Sequence, residues 1–169
     1  MCGIPRASSG NRIAIMFPSP VSSPVSSPSS SPSSSPSSSS SSPAPPSRES
    51  YTLSFRPSTE KDTTTTAVFQ LRDPSMVNSF QECHGIDLRI EKHGDLTLLS
   101  QGPVPPPLHH FQLRPSVFSA QRGEMEFSLP EKLDLGVSEQ GIVGRQVTVM
   151  TRGGAGEILQ MGNGIVGYD

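Results

Sequence analysis

The sequence predicts an all-β domain, an antiparallel β-sandwich carried behind a Ser/Pro-rich leader. Three observations predict it. Short runs that alternate apolar and polar residues recur after residue 49, each of strand length. Pro- and Gly-rich breaks separate them. Between residues 49 and 152 no stretch keeps a helical period of apolar positions long enough to pack a helix.

The leader stands first. From Pro18 to Ser47 every residue is Ser or Pro except Val21, Val25 and Ala44. Such a segment has almost no apolar surface to offset the entropy of ordering it, so residues 1–48 read as a disordered leader. Ser-Pro steps at Ser19, Ser23, Ser27, Ser31, Ser35 and Ser42 are candidate acceptors for a proline-directed kinase. Each phosphate adds charge and stiffens the tether by repulsion. Upstream, Ile13, Ile15, Met16 and Phe17 form an apolar cluster that is a candidate contact for partner proteins. It is too short for the core of a signal peptide.

The domain elements follow in order. Thr63–Leu71 is rich in β-branched and aromatic residues, with Ala67, Phe69 and Leu71 on one face. One short helical turn is expected at Met76–Cys83. In Ile86–Glu91, Ile86, Leu88 and Ile90 form one strand face and Asp87, Arg89 and Glu91 a solvated one. Lys92-His93-Gly94-Asp95 is a turn and Leu96–Leu99 its return strand, which together predict a hairpin. The prolines of Gly102–Pro107 exclude a central strand and predict a loop. Phe111–Phe118 is a short edge strand interrupted by Pro115. Glu124–Leu129 alternates strictly and stops at Pro130, and Gln146–Thr151 is the last strand. Gly153, Gly154, Gly156, Gly162, Gly164 and Gly167 make residues 153–169 a flexible tail, so the domain spans 49–152.

Charge narrows the function classes. The chain of 169 residues carries a net charge of −2. Its first 48 residues hold Arg6, Arg12 and Arg48 and no acid, so the remainder holds 13 − 3 = 10 basic against 15 acidic residues, a net of −5. A surface without clustered Lys/Arg is a poor match for nucleic acid. No apolar run is long enough to span a membrane. Cys2 and Cys83 lie far apart, which fits a reducing, cytoplasmic setting. The acid-free, Ser-rich start with Arg6 and Arg12 also resembles an organelle transit peptide in composition.

The chemistry-bearing residues do not assemble into a catalytic pattern. Met1-Cys2-Gly3-Ile4 matches the start of amidotransferases with an N-terminal cysteine nucleophile, but low complexity follows at once. Cys83, His84, His93, His109 and His110 lack zinc-ligand spacing. Asp87, Glu91 and Asp95 read as solvated strand positions. Gly153-Gly154-Ala155-Gly156 lacks the helix and Lys of a phosphate loop. The expectation is a non-enzyme with no cofactor and no metal.

One resemblance gathers these elements. The order Phe69-Gln70-Leu71-Arg72-Asp73-Pro74, the unit Ile86–Gly102, a Pro-rich connection, Phe127-Ser128-Leu129-Pro130 with Leu133-Asp134, and the strand after Gly144 resembles the α-crystallin domain of small heat-shock proteins, the Hsp20-like chaperones. It covers roughly residues 56–151. Met125 stands where that family carries an Arg at its dimer contact, and the tail has Ile158-Leu159 and Ile165-Val166 rather than Ile-x-Ile. The resemblance implies an immunoglobulin-like β-sandwich and an ATP-independent holdase that binds exposed apolar segments of unfolding or partly folded proteins. A homo-oligomer, dimer or larger, is the implied assembly. The implied groove is lined by Leu96, Leu98, Val147 and Val149, with an open strand edge that accepts an added strand. The alternative is a non-enzymatic adaptor or co-chaperone-like module with one partner and a phosphorylatable tether.

Overall fold

The computed structural model describes residues 10–18, 49–58, 64–94, 106–114 and 123–169. Its strands are β1 (Arg12–Met16), β2 (Tyr51–Pro57), β3 (Thr65–Gln70), β4 (Gly85–Ile90), β5 (His109–Leu113), β6 (Glu124–Ser128), β7 (Gln146–Arg152) and β8 (Ile158–Tyr168), with one helix, α1 (Pro74–Glu82). All pairings are antiparallel, in the order β5-β4-β7-β8-β1-β2-β3-β6. The two halves of this curled sheet share one core, with Leu53, Phe55, Phe69 and Phe127 facing Ile86, Leu88, Ile90 and Val149. The expected all-β antiparallel sandwich is the architecture observed. His109 at the start of β5 meets Glu131, just past β6, at 2.7 Å, so the two ends of the strand order approach each other.

Both chain ends differ from the expectation. Residues 10–18 are not leader: Arg12–Met16 pairs with Phe55–Tyr51 on one side and with Tyr168–Val166 on the other. The Ser/Pro segment therefore connects two adjacent, paired strands, as the loop of a long hairpin, and residues 19–48 lie outside the described residues. Nor is 153–169 a loose tail, because β8 bridges the two halves of the sheet, pairing β7 with its first part and β1 with its last. A bulge opposite Val149/Met150 adds one residue to β8 and bends it from one neighbour to the other. The glycines that suggested looseness permit close approach: a Cβ on Gly164 would lie 2.3 Å from the Ile15 carbonyl oxygen. The span that resembles Hsp20 proteins, 56–151, excludes both of these middle strands.

Within the domain, β2 is a strand beyond those expected, and its Tyr51, Leu53 and Phe55 alternate inward as a half-buried strand requires. Both edges of β4 are taken, by β5 and β7, which corrects the expected hairpin with Leu96–Leu99; that segment lies outside the described residues. The helix is longer than one turn. Asp73 caps it by accepting the Ser75 amide at 2.8 Å, and Pro74 sits at its first turn, where a missing N–H costs nothing. Met76 and Phe80, four residues apart, turn inward, and Phe80 packs against Tyr51 and Phe69 with ring centroids 5.9 and 5.5 Å away.

Candidate protein-binding face

The outward side of β1 is an exposed apolar surface at the middle of the sheet. Strand alternation points Ala14 and Met16 into the core and Ile13, Ile15 and Phe17 away from it. Ile15 is 55 % exposed and Phe17 57 %, while Ile13 is half-buried. Their neighbours are small or polar: Ser54 opposes Ile13, Thr52 opposes Ile15, and Gly167 flanks Ile13 from β8. Phe17 exchanges backbone hydrogen bonds with Asn163 at 2.8 and 3.1 Å, which fixes the end of the strand. Continuing that register places half-buried Ile165 beside Ile15. A cleft of about 440 Å³ adjoins Ile15, lined also by Glu49, Ser50, Thr52, Gln70 and Arg72. Among the described residues Ile15 is its one aliphatic side chain, and Glu49 and Arg72 bring one acid and one base to a largely polar lining.

The residues expected to form a site scatter. Ile13, Ile15 and Phe17 share this face, but on an anchored strand rather than a free leader, and Met16 is core. Val147 and Val149 are fully buried, which corrects the expected groove: their side of β7 is the sandwich interior. Leu96 and Leu98 lie outside the described residues, as do Ser19, Ser23, Ser27, Ser31, Ser35 and Ser42. Asp87 is a second correction. It is 6 % exposed rather than solvated, with Oδ2 accepting from Arg152 Nη2 at 2.9 Å and Oδ1 3.3 Å from His110 Nε2. Strand alternation alone could not reveal this, because the partners come from β5 and β7.

The titratable groups with perturbed environments are structural. Burial pushes the Cys83 thiol up, and it donates to the Phe80 carbonyl at 3.1 Å, so it is an unactivated cysteine. Burial likewise pushes the Tyr51 phenol up. The Ser138 hydroxyl, then the Gly136 amide, hold the exposed Asp134 carboxyl below its ordinary range and close a turn. That turn belongs to a loop clasped by Arg145, which donates to the carbonyls of Lys92, Glu139 and Gly141. Among the described residues no three His, Cys, Asp or Glu side chains are placed to hold a metal ion. Among them, too, no helix is long and apolar enough to cross a membrane. No protein-family model matches the chain, and no curated protein matches it.

Proposed function

We propose that this protein is a non-enzymatic protein-binding module that holds an apolar segment of a partner on the outer face of β1. The observation that carries the reading is the exposure of Ile15 and Phe17 on a strand at the middle of the sheet, where neither chain end nor sheet edge accounts for it. Covering what is still exposed of both side chains, a little over half of each, is worth roughly 2–3 kcal/mol before the cost of association. That is too little for a tight complex by itself. Glu49 and Arg72 on the adjoining cleft supply polar contacts that favour one partner over many. This supports the adaptor over the holdase, whose expected groove residues Val147 and Val149 point into the core. The first Ser-Pro step, Ser19-Pro20, follows Phe17 by two residues in the sequence, so a phosphate there adds negative charge close along the chain to this face.

The test is an Ile15→Ser/Phe17→Ser double variant. Both side chains are exposed, so thermal stability should hold while binding to an array of immobilised apolar peptides is lost. Unchanged peptide binding in the variant rejects the face. A light-scattering assay on several unrelated aggregating proteins separates the two classes: broad suppression at near-equimolar ratio favours the holdase, none favours the adaptor. The mass of the purified chain shows whether a second copy covers the face.

A further inference from the structure

On the other half of the sandwich, the outward side of β5, β4 and β7 carries a second, chemically different site. Gly85 of β4 pairs with Arg152 of β7, and Ile86 with Leu113 of β5. One step further along the same register puts Arg114 opposite Gly85. The two arginines thus flank a strand position with no side chain, their backbones about 10 Å apart at two strand spacings. Among the described residues a Cβ on Gly85 would meet only the Leu113 carbonyl oxygen, at 3.8 Å, so none of them fills the gap from below. The result is a cleft of about 320 Å³ lined by Arg114, Arg152, His84, Gln112, Gly85 and Asp87.

We propose that this notch binds a phosphate monoester, with Arg114 and Arg152 as its two cationic walls and His84 as a third donor. Asp87 is the positioning residue. Buried under the sheet's outer surface, it takes one Nη2 hydrogen bond from Arg152 and so aims a half-exposed guanidinium whose other N–H groups have no partner among the described residues. His110 holds the second carboxylate oxygen. The two guanidinium charges outnumber the one carboxylate, so the cleft favours an anion. Donors carried by β5, β7 and the residue before β4 can approach the several oxygens of a phosphoryl group from more than one side, which a planar carboxylate uses less well. Gly85 leaves the floor open for that group.

Two sources share this chemistry: a phosphorylated side chain of a polypeptide and a small free phosphate. Calorimetric titration of the full chain uses O-phospho-L-serine, inorganic phosphate, a phosphorylated Ser-Pro peptide and, as a planar control, glutarate. The phosphate ligands should bind and glutarate should bind at least about tenfold more weakly. A peptide tighter than phosphoserine identifies a polypeptide source; equal affinities identify a small phosphate. Arg114→Gln should weaken binding about tenfold, the loss of one charge-assisted contact. Gly85→Val should abolish it by filling the floor. Both variants leave the Arg152–Asp87 pair intact, and an unchanged melting temperature shows that they fold. The proposal is overturned if no phosphate ligand binds, if glutarate binds equally well, or if both variants bind as the parent does.

Discussion

Whether the Ser/Pro segment is a leader or a hairpin loop can be decided by two deletions with opposite expected signs. In the first, residues 19–48 are removed and β1 is joined to β2 through a short flexible link. Because Met16 and Tyr51 are already paired, the change only shortens a closed loop. An eightfold shortening is three halvings at roughly 0.6 kcal/mol each, so the chain gains about 2 kcal/mol. For a chain of this size that raises the melting temperature by roughly 4–8 °C. In the second, residues 1–48 are removed entirely. This deletes fully buried Met16 with Ala14 and leaves β2 and β8 unpaired along their inner edges. The loss of the Met16 side chain alone costs about 2–5 kcal/mol, a large part of a stability near 5–15 kcal/mol. The fragment should therefore lose cooperative unfolding, and a synthetic peptide of residues 9–18 should restore part of it. Urea titration followed by far-ultraviolet circular dichroism reads both cases. A 49–169 fragment that melts at the midpoint of the full chain would refute the placement of β1, as would a loop deletion that destabilises.

Three further outcomes follow from particular contacts. Gly164→Val drives a side chain against the Ile15 carbonyl and should cost at least about 1–3 kcal/mol in urea unfolding; Gly167→Ala, whose Cβ would meet only the Ile13 carbonyl oxygen at 3.9 Å, should be tolerated. Tyr51→Phe removes a buried hydroxyl with no partner among the described residues and should stabilise by about 1 kcal/mol. Because burial raises the Tyr51 pKa, the parent's stability is complete below the ordinary tyrosine value of about 10 and is lost as pH rises above it, a loss the Phe variant should lack. Asp134 has the opposite sign: its folded pKa is depressed, so the turn it closes is secure above about pH 4 and loosens as pH falls through the folded value. Ser138→Ala should raise the midpoint of that titration, read at the Gly136 amide by nuclear magnetic resonance; an unchanged midpoint would remove Ser138 as the main cause.

The strands read correctly were those whose burial follows a period of two within a single segment. Ala67 and Phe69 in β3, Ile86, Leu88 and Ile90 in β4, and Met125 with Phe127 in β6 go into the core as their alternation says, and only β6 also leaves its other face open; Val68 and Asp87 are buried as well, by neighbours outside their own strands. β1 escaped because every position from Ile13 to Met16 is apolar, and only its partners decide that Met16 goes inward and Ile15 outward. β8 escaped because Gly162, Gly164 and Gly167 dilute its alternation. Their purpose is set by the backbone of β1, which is distant in sequence. The candidate faces divide in the same way. Ile15 and Phe17 were visible as apolar residues, but their common exposure was not, and the Arg114–Gly85–Arg152 row exists only once β4, β5 and β7 are in register.

By itself the sequence determined the class of the fold: alternating apolar runs with Pro and Gly between them can bury their hydrophobic side only as sheet against sheet. The tertiary structure decided which strands are neighbours, that β1 and β8, far apart in the chain, meet at the middle of the sheet, and which side chains were left facing outward. Local composition sets what a segment can bury, whereas pairing between segments sets what it does bury.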